Sequence, residues 1–312
     1  MSTLSLYLTT VLIWGSTWYA IKLQLGTVAP EISVAYRFLI AAILLCVWCL
    51  VRRKHMRFGF LDHGWMALQG LFLFCTNYAV FYVATGHLTT GLVSVVFSTI
   101  VFWNILGSRL FFGTSVSNRV LGGTVLGICG LAMVFWPEIA NLHHRSSAAL
   151  GLGLCLIATL LASLGNLTSV RNQNHGLPVL QTNAYGMAYG AAFMALYGLV
   201  WGLNFSWDWA PIYLWSLLYL AIFGSILAFG AYLTLLGRIG AGRAGYTAVL
   251  FPVVALTLSV FLEGYIFTPV ATLGVLFVLG GNVLALTKTR QQPFPDDPGD
   301  VQTTPVLLPK SD

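Results

Sequence analysis

The sequence predicts an all-α integral membrane protein in which ten transmembrane helices form two inverted five-helix repeats around a central cavity. Three observations predict this fold: a shortage of charged residues, ten apolar segments of membrane-spanning length, and a similarity between the two halves of the chain. Of the 312 residues, 58% are hydrophobic and only 8% are charged, whereas soluble domains carry about 25% charged residues. So few charges cannot cover a soluble protein, and the composition excludes a cytosolic enzyme, a secreted disulfide scaffold and a nucleic-acid binder.

The apolar segments supply the predicted helices, because a membrane-spanning helix needs about 20 mostly apolar residues. The segments are Leu4–Leu23, Ile32–Val51, Trp65–Thr85, Leu88–Phe112, Arg119–Trp136, Leu150–Val170, Leu180–Trp201, Tyr213–Leu236, Tyr246–Leu262 and Thr268–Leu286. They lack the alternation of apolar and polar residues that is typical of membrane β-strands, so a helical bundle is predicted.

Lysine and arginine residues set the predicted orientation, because cytoplasmic loops carry an excess of both. With the N-terminus inside, twelve of the 15 Lys and Arg residues fall on the cytoplasmic side. Lys22 and Arg145 fall outside, and Arg37 lies within the second span. We therefore expect a multi-pass protein of the plasma membrane, the inner membrane in a bacterium, with both termini in the cytoplasm.

The two halves of the chain resemble each other when one is shifted by 154 positions. This shift places Gly70, Tyr78, Gly91 and Phe97 on Gly224, Tyr232, Gly245 and Phe251. Five spans per half is an odd number, so the halves enter the membrane from opposite sides, which is the symmetry of alternating-access transporters. The predicted organisation is a first repeat over 1–137, an external linker over 138–148, an inverted second repeat over 149–290 and a disordered cytoplasmic tail over 291–312.

Three short elements carry a resemblance to a known family. They are the Trp-Gly-Ser-Thr-Trp sequence at Trp14–Trp18, the Pro30-(x6)-Arg37-Phe38 pattern that opens the second span, and Pro252 followed by Glu263-Gly264. Over residues 4–288 the chain resembles the EamA-type exporters of the drug/metabolite transporter superfamily. The resemblance implies that helices one, three, four, six, eight and nine face the cavity, and that amino acids or related metabolites and drugs are exported. The first half departs from the pattern, since Ser98 and Arg109 stand at the positions of Pro252 and Glu263.

Aromatic and uncharged polar side chains within the spans are the candidate substrate-binding residues. In the third span, Phe74, Tyr78 and Tyr82 recur every four residues and Asn77 lies beside them. Rings can pack on a small amphipathic solute, attract an ammonium group, and leave amides and hydroxyls to fix its polar groups. The candidates are Trp14, Trp18, Asn77, Tyr78, Tyr82, Ser94, Ser98, Trp103, Asn166, Tyr232 and Tyr246. The alternative for each aromatic residue is a place at the membrane–water interface, where tryptophan and tyrosine are common.

Arg37, Lys22 and Glu263 are the candidates for gating or charge recognition, because a charge within hydrocarbon costs several kcal/mol. Arg37 is interpreted as a gate or an anion contact, or alternatively as a packing anchor for helix-end carbonyls. Lys22 and Glu263 lie at span ends, where an interfacial role is the alternative. Glu263 is the only acid near a span interior, so we expect weak or absent proton coupling.

The sequence thus predicts a secondary transporter that moves a small amphipathic metabolite or drug outward across the plasma membrane. Two alternatives stay open: a transporter of phosphorylated metabolites or nucleotide sugars, and a non-transporting membrane scaffold or sensor. No enzymatic reaction, cofactor, metal or nucleic-acid partner is expected, because the spans hold no phosphate loop, nucleophile–base pair or paired carboxylates. The expected partners are the solute, membrane lipid and, as an option, a second copy that pairs through the glycine-rich helices five and ten.

Overall fold

The computed structural model describes residues 2–134, 136, 145–244, 247–266 and 268–286, and every regular element within them is helical. Six helices are long and apolar enough to cross a membrane, and three shorter apolar helices accompany them. The all-α prediction is confirmed for these residues, and the composition of the helices is that of a multi-pass membrane protein.

We number the helices α1 to α10 in chain order. They are α1 (Thr3–Lys22), α2 (Pro30–Val51), α3 (Phe60–Thr85), α4 (Thr90–Phe112), α5 (Asn118–Val134), α6 (Arg145–Asn174), α7 (Val179–Val200), α8 (Pro211–Tyr219, Leu220–Leu227 and Ala228–Ala244 in succession), α9 (Thr247–Glu263) and α10 (Pro269–Leu286). With 22 residues, α7 has the length of a span but belongs to neither apolar group.

Proline and glycine mark several helix ends, as their backbone chemistry requires. Pro30 and Pro211 occupy the first turns of α2 and α8, where a missing N–H group leaves no hydrogen bond unmade. Gly113 ends α4 with φ at +68°, a left-handed conformation that residues with a Cβ rarely adopt.

One turn in each of α3 and α8 is π-helical, at Gly70–Thr76 and Leu220–Leu227. The Thr76 hydroxyl donates to the Leu71 carbonyl at 2.8 Å, and the Ser225 hydroxyl donates to the Leu220 carbonyl at 2.9 Å. Both bonds reach back five residues and satisfy carbonyls within the widened turn. Such turns are frequent at functional sites, and these two fall at matching places in the two halves.

Glycines bring α5 and α10 into backbone contact. A Cβ atom on Gly123 would collide with the Gly281 carbonyl, and one on Gly130 would collide with the Gly274 carbonyl. Partner numbers fall along α10 as they rise along α5, so the two helices are antiparallel. These glycines contact each other within one chain. The homodimer through α5 and α10 stays a prediction, and its interface would have to use the other faces of these two helices.

The pair α2 and α7 is antiparallel as well. Gly198, near the end of α7, lies against Ile32 at the start of α2. At the opposite end, the Tyr185 hydroxyl donates to the Met56 carbonyl, just beyond α2, at 2.7 Å. These two peripheral pairs leave the remaining helices to surround the centre of the bundle.

Candidate functional site

A central cavity lies between α1, α3, α4, α6, α8 and α9, the helices that the family resemblance places around it. The lining residues are Trp14, Thr17, Trp18, Ile21, Leu73, Asn77, Tyr78, Phe81, Phe97, Ile100, Ala162, Asn166, Phe229, Tyr232, Thr247, Ala248 and Phe251. The volume within it that is open to the centres of water molecules is about 40 Å³.

The cavity contains part of the predicted substrate-binding set. Trp14, Trp18, Asn77, Tyr78, Asn166 and Tyr232 line it. Outside the lining, Tyr82, Ser94 and Ser98 are buried between helices and Trp103 is half-buried on α4. Tyr246 lies outside the described residues.

The two serines on α4 use their hydroxyls within their own helix. Ser94 donates to the Gly91 carbonyl at 2.6 Å, and Ser98 donates to the Val95 carbonyl at 2.7 Å. A serine in a helix commonly bonds a carbonyl three or four residues back, so its hydroxyl is satisfied without a ligand.

Several lining residues were not among the sequence candidates. Leu73 and Phe81 flank Asn77 at intervals of four residues, and Ile21 follows Thr17 at the same interval. Helical periodicity around the polar candidates was the signal that could have found them.

Trp14 joins α1 to α8 on one side of the cavity. Its ring centroid lies 5.0 Å from that of Phe229 and 4.9 Å from that of Tyr232. Its indole N–H donates to the Gly224 carbonyl, in the π-helical turn of α8, at 3.3 Å. Trp14 is thus fixed by both its ring and its polar atom.

Trp18 has similar ring contacts but no polar partner. Its ring packs edge-on against Phe81 at 5.2 Å and Phe97 at 5.3 Å. Among the described residues, neither its Nε1 nor Oδ1 of Asn77 has a hydrogen-bond partner, and both atoms are buried. Two residues that line one cavity thus carry an unsatisfied donor and an unsatisfied acceptor, although buried polar atoms are normally paired.

Arg37 lies fully buried on α2, behind the wall of the cavity. Its Nε donates to the Ser225 hydroxyl at 2.9 Å. Its guanidinium carbon lies 4.5 Å from the ring centroid of Tyr78 and 5.1 Å from that of Phe38, within the range of cation–π attraction. The sequence candidates Arg37 and Tyr78 are therefore in contact.

An ion pair ties helices together at one end of the cavity, which we call the Lys22 end. Lys22 Nζ lies 2.6 Å from Glu263 Oε1. Glu263 Oε2 accepts from the Thr90 backbone N–H at 3.0 Å and from the hydroxyls of Thr90 and Ser259 at 2.6 Å each. Since Thr90 opens α4, the carboxylate also lies at a helix N-terminus, where negative charge is favourable.

A neutral network ties helices together at the opposite end, which we call the Gln69 end. Asn172 of α6 donates to the side-chain oxygen of Gln69 of α3 at 2.9 Å, and Gln69 donates to that of Asn183 of α7 at 3.3 Å. All three amides are buried. Gln69 precedes Thr85, the last residue of α3, by 16 residues, or roughly 24 Å of helix, so the two networks lie far apart.

Metal-ligating side chains are scattered through the structure. Within the described ranges, no group of three or more His, Cys, Asp or Glu side chains is placed to hold a metal ion. All five cysteines are free thiols, and His63 Nδ1 is bonded to the Tyr189 hydroxyl at 2.9 Å.

The two halves of the chain each match one family model. The model of the EamA-like transporter family matches residues 1–136 and again residues 149–287.

Relatives of similar length carry transporter names. A protein named uncharacterized inner membrane transporter YedA, from Escherichia coli strain K12, is 28% identical over 81% of this chain and 80% of its own length. A protein named probable amino-acid metabolite efflux pump, from the same strain, is 25% identical over 88% of this chain and 92% of its own length. A solved crystal structure with 17% identity superposes with a TM-score of 0.67 over 91% of this chain and 96% of its own, which shows a shared fold.

Proposed function

The chain belongs to the EamA-like transporter family, and we propose that it is a secondary transporter which moves a small amphipathic metabolite, an amino acid or related compound, out of the cell by alternating access. The observation that carries this proposal is the central cavity. It combines aromatic walls with two lining residues, Trp18 and Asn77, that each carry a buried polar atom without a partner among the described residues. No step of this function requires a chemical change in the solute, and no enzymatic role is proposed.

The two free polar atoms suit a solute with two opposite polar ends. The indole N–H of Trp18 can donate to a carboxylate or carbonyl, and the amide oxygen of Asn77 can accept from an ammonium group. The rings around them can cover an apolar side chain. The name of the 25% identical Escherichia coli relative, an amino-acid metabolite efflux pump, agrees with this class of solute.

For the architecture we propose ten spans in two inverted repeats, over 1–137 and 149–290, with a linker over 138–148 and a tail over 291–312. The antiparallel packing of α2 on α7 and of α5 on α10 supports it, because each pair joins helices of the same rank in the two halves. The matching π-helical turns of α3 and α8 and the two separate family matches support it as well.

We further propose that the protein lies in the plasma membrane with both termini in the cytoplasm. The excess of lysine and arginine in the loops on that side supports this orientation. The printed name of the YedA relative, an inner membrane transporter, supports a bacterial inner membrane.

The lining chemistry favours a metabolite without phosphate groups. A phosphorylated solute or a nucleotide sugar would need several cationic side chains. None of the residues that line the described cavity is a lysine or an arginine.

The proposal predicts that Trp18→Phe weakens transport without weakening the fold. Phenylalanine keeps a ring against Phe81 and Phe97 but removes the free indole N–H. A hydrogen bond to a charged group contributes about 1.5–3 kcal/mol, so the KM for the solute should rise about tenfold or more. The measurement is counterflow of radiolabelled amino acids in proteoliposomes, together with the Tm of the purified protein.

The matched control is Trp103→Phe, because Trp103 lies outside the cavity lining and its replacement should leave the KM unchanged. Equal KM values for wild-type protein and Trp18→Phe would remove Trp18 from the binding site. Absence of counterflow for every labelled amino acid in wild-type proteoliposomes would contradict the proposed function itself.

A further inference from the structure

Arg37 is a buried cation without a counter-ion among the described residues. Its side chain is fully buried, and Nη1 has no hydrogen-bond partner among the described residues. The ion pair between Lys22 and Glu263 is the one found in the part of the chain that the structure describes. A buried charge is costly unless it is paired, so this guanidinium is a site where an anion would be stabilised.

A second unsatisfied donor lies close to Arg37. Gln24, in the loop after α1, is buried, and its side-chain oxygen accepts from the Tyr82 hydroxyl at 2.6 Å. The Nε2 atom of Gln24 is buried without a partner, and Arg37 lies beside the Tyr82 hydroxyl. Tyr82 thus connects two groups that each present a free N–H.

Only one ring separates Arg37 from the cavity. Tyr78 lines the cavity, and the guanidinium carbon of Arg37 lies 4.5 Å from its ring centroid. A solute in the cavity reaches Arg37 only if the Tyr78 side chain moves. Rotation of the Tyr78 side chain would open a path from the cavity to Nη1 of Arg37.

We propose that Arg37 and Gln24 form a carboxylate subsite, reached past Tyr78, and that the transported solute is an α-amino acid whose ammonium group binds at Asn77. This proposal rests on the proposed function and names its substrate class. Arg37 presents a guanidinium N–H to one carboxylate oxygen, and Gln24 presents an amide N–H to the other. Guanidinium and carboxylate are complementary in charge and shape.

A purely structural role accounts less well for these contacts. An arginine that only anchors helices would be expected to direct its N–H groups to carbonyl oxygens, since buried donors are normally satisfied. Here the Ser225 hydroxyl accepts from Nε, the guanidinium lies against the hydroxyls of Tyr78 and Tyr82, and Nη1 has no hydrogen-bond partner among the described residues.

The test compares compounds that differ only in the carboxylate. L-phenylalanine and phenethylamine share a ring and an ammonium group, and L-leucine and isoamylamine form a second pair. Isothermal titration calorimetry on the purified full chain measures Kd for all four compounds and for sodium acetate. We expect wild-type protein to bind each amino acid at least tenfold more tightly than its amine.

Arg37→Gln should bring the ratio of the two Kd values close to one, because it should weaken the binding of the amino acids and leave the binding of the amines unchanged. Gln24→Leu should lower the ratio about threefold, and it tests the same subsite if Arg37→Gln does not fold. The matched control is Arg52→Gln, since Arg52 lies just beyond α2 and stacks on Trp48 with its guanidinium carbon 4.8 Å from the ring centroid. Its replacement should leave the ratio intact.

Several outcomes would overturn the subsite. A ratio near one in wild-type protein, or a ratio unchanged in both Arg37→Gln and Gln24→Leu, would remove the carboxylate from Arg37. If acetate binding depends on Arg37 but each amino acid binds only as tightly as its amine, then the subsite binds a free anion and not the carboxylate of the solute. Counterflow of amines but not amino acids would keep the transport function and refute only the subsite.

Discussion

The two ends of the cavity use different chemistry on similar backbone. At the Lys22 end, a charged pair is supported by the hydroxyls of Thr90 and Ser259. At the Gln69 end, three neutral amides are bonded in series. If the chain is the proposed pair of inverted repeats, similar helices carry asymmetric contacts at the two ends, and the ends can respond to different conditions.

The proposed repeat accounts for the ion pair that the described residues form at the Lys22 end. The shift of 154 positions places Ala244 at the position of Thr90, and Ser259 corresponds to Ile105. Arg109 corresponds to Glu263 and is exposed at the end of α4. The Gln69 end thus lacks the carboxylate and both hydroxyls that build the network at the Lys22 end.

The largest loss of stability is expected from Glu263→Gln. The Glu263 side chain is 2% exposed, whereas that of Lys22 is 43% exposed, so the buried partner determines most of the loss. If the amide oxygen keeps the bonds from Thr90 and Ser259, the amide nitrogen must face Lys22, and two donors oppose each other. We expect a loss of about 2–4 kcal/mol in the free energy of unfolding, measured by thermal unfolding in detergent.

The same variant should also weaken the contacts between helices at the Lys22 end. The rate of thiol labelling of an added Ile21→Cys can measure this change, because Ile21 lines the cavity beside Lys22. The control is the exchanged pair Lys22→Glu with Glu263→Lys. A lysine at position 263 cannot accept from Thr90 and Ser259, so the exchange should restore only part of the stability. Full restoration would show that the hydroxyl bonds contribute little.

A smaller effect is expected from Gln69→Leu at the other end. The change leaves Asn172 and Asn183 buried without their shared partner, which costs about 1–3 kcal/mol. These amides are neutral, and the one charged partner, Arg171, makes a long bond of 3.4 Å to Asn172, so the loss should depend only weakly on salt, whereas the effect of Glu263→Gln should shrink in high salt. Thermal unfolding at two salt concentrations measures both.

Gln173→Leu is the matched control for the Gln69 end. Gln173 is half-buried on α6 and makes a single bond of 3.4 Å to Ser169, so its replacement should change stability little. A salt-dependent loss in Gln69→Leu would mean that the two ends do not differ in the way described above.

The smallest effect is expected from Arg109→Glu, which gives the first half the acid that the second half has. Without hydroxyls at positions 244 and 105, the new carboxylate lacks the two hydroxyl donors that bind Glu263, and the free energy of unfolding should change by less than about 0.5 kcal/mol. A clear increase in Tm would reveal a hidden cationic partner at the Gln69 end.

Part of the cavity could be predicted from the sequence because helical periodicity survives folding. Asn77 and Tyr78 were found that way. The lining residues of α3 are nevertheless Leu73, Asn77, Tyr78 and Phe81, and three of them lie one residue before the predicted stripe that ends at Tyr82. The π-helical turn at Gly70–Thr76, which contains Leu73, changes the rotation per residue there, and no simple sequence pattern indicates such a turn.

Other contacts could not be predicted because they join distant parts of the chain. Lys22 and Glu263 were treated as separate span ends, yet they form one ion pair across 241 positions. Ser94 was a candidate ligand, but its hydroxyl is taken by Gly91. Sequence alone does not show whether a helical hydroxyl bonds its own backbone or a solute.

The glycine contacts between α5 and α10 have a consequence for mutational tolerance. Gly123, Gly130, Gly274 and Gly281 lie away from the cavity lining, yet each faces a backbone carbonyl where even a methyl group would not fit. In a random library selected for activity, these four positions should be among the most depleted of the whole chain. Intolerance to substitution in this protein therefore reports the tightness of helix crossings as much as the location of the transported solute.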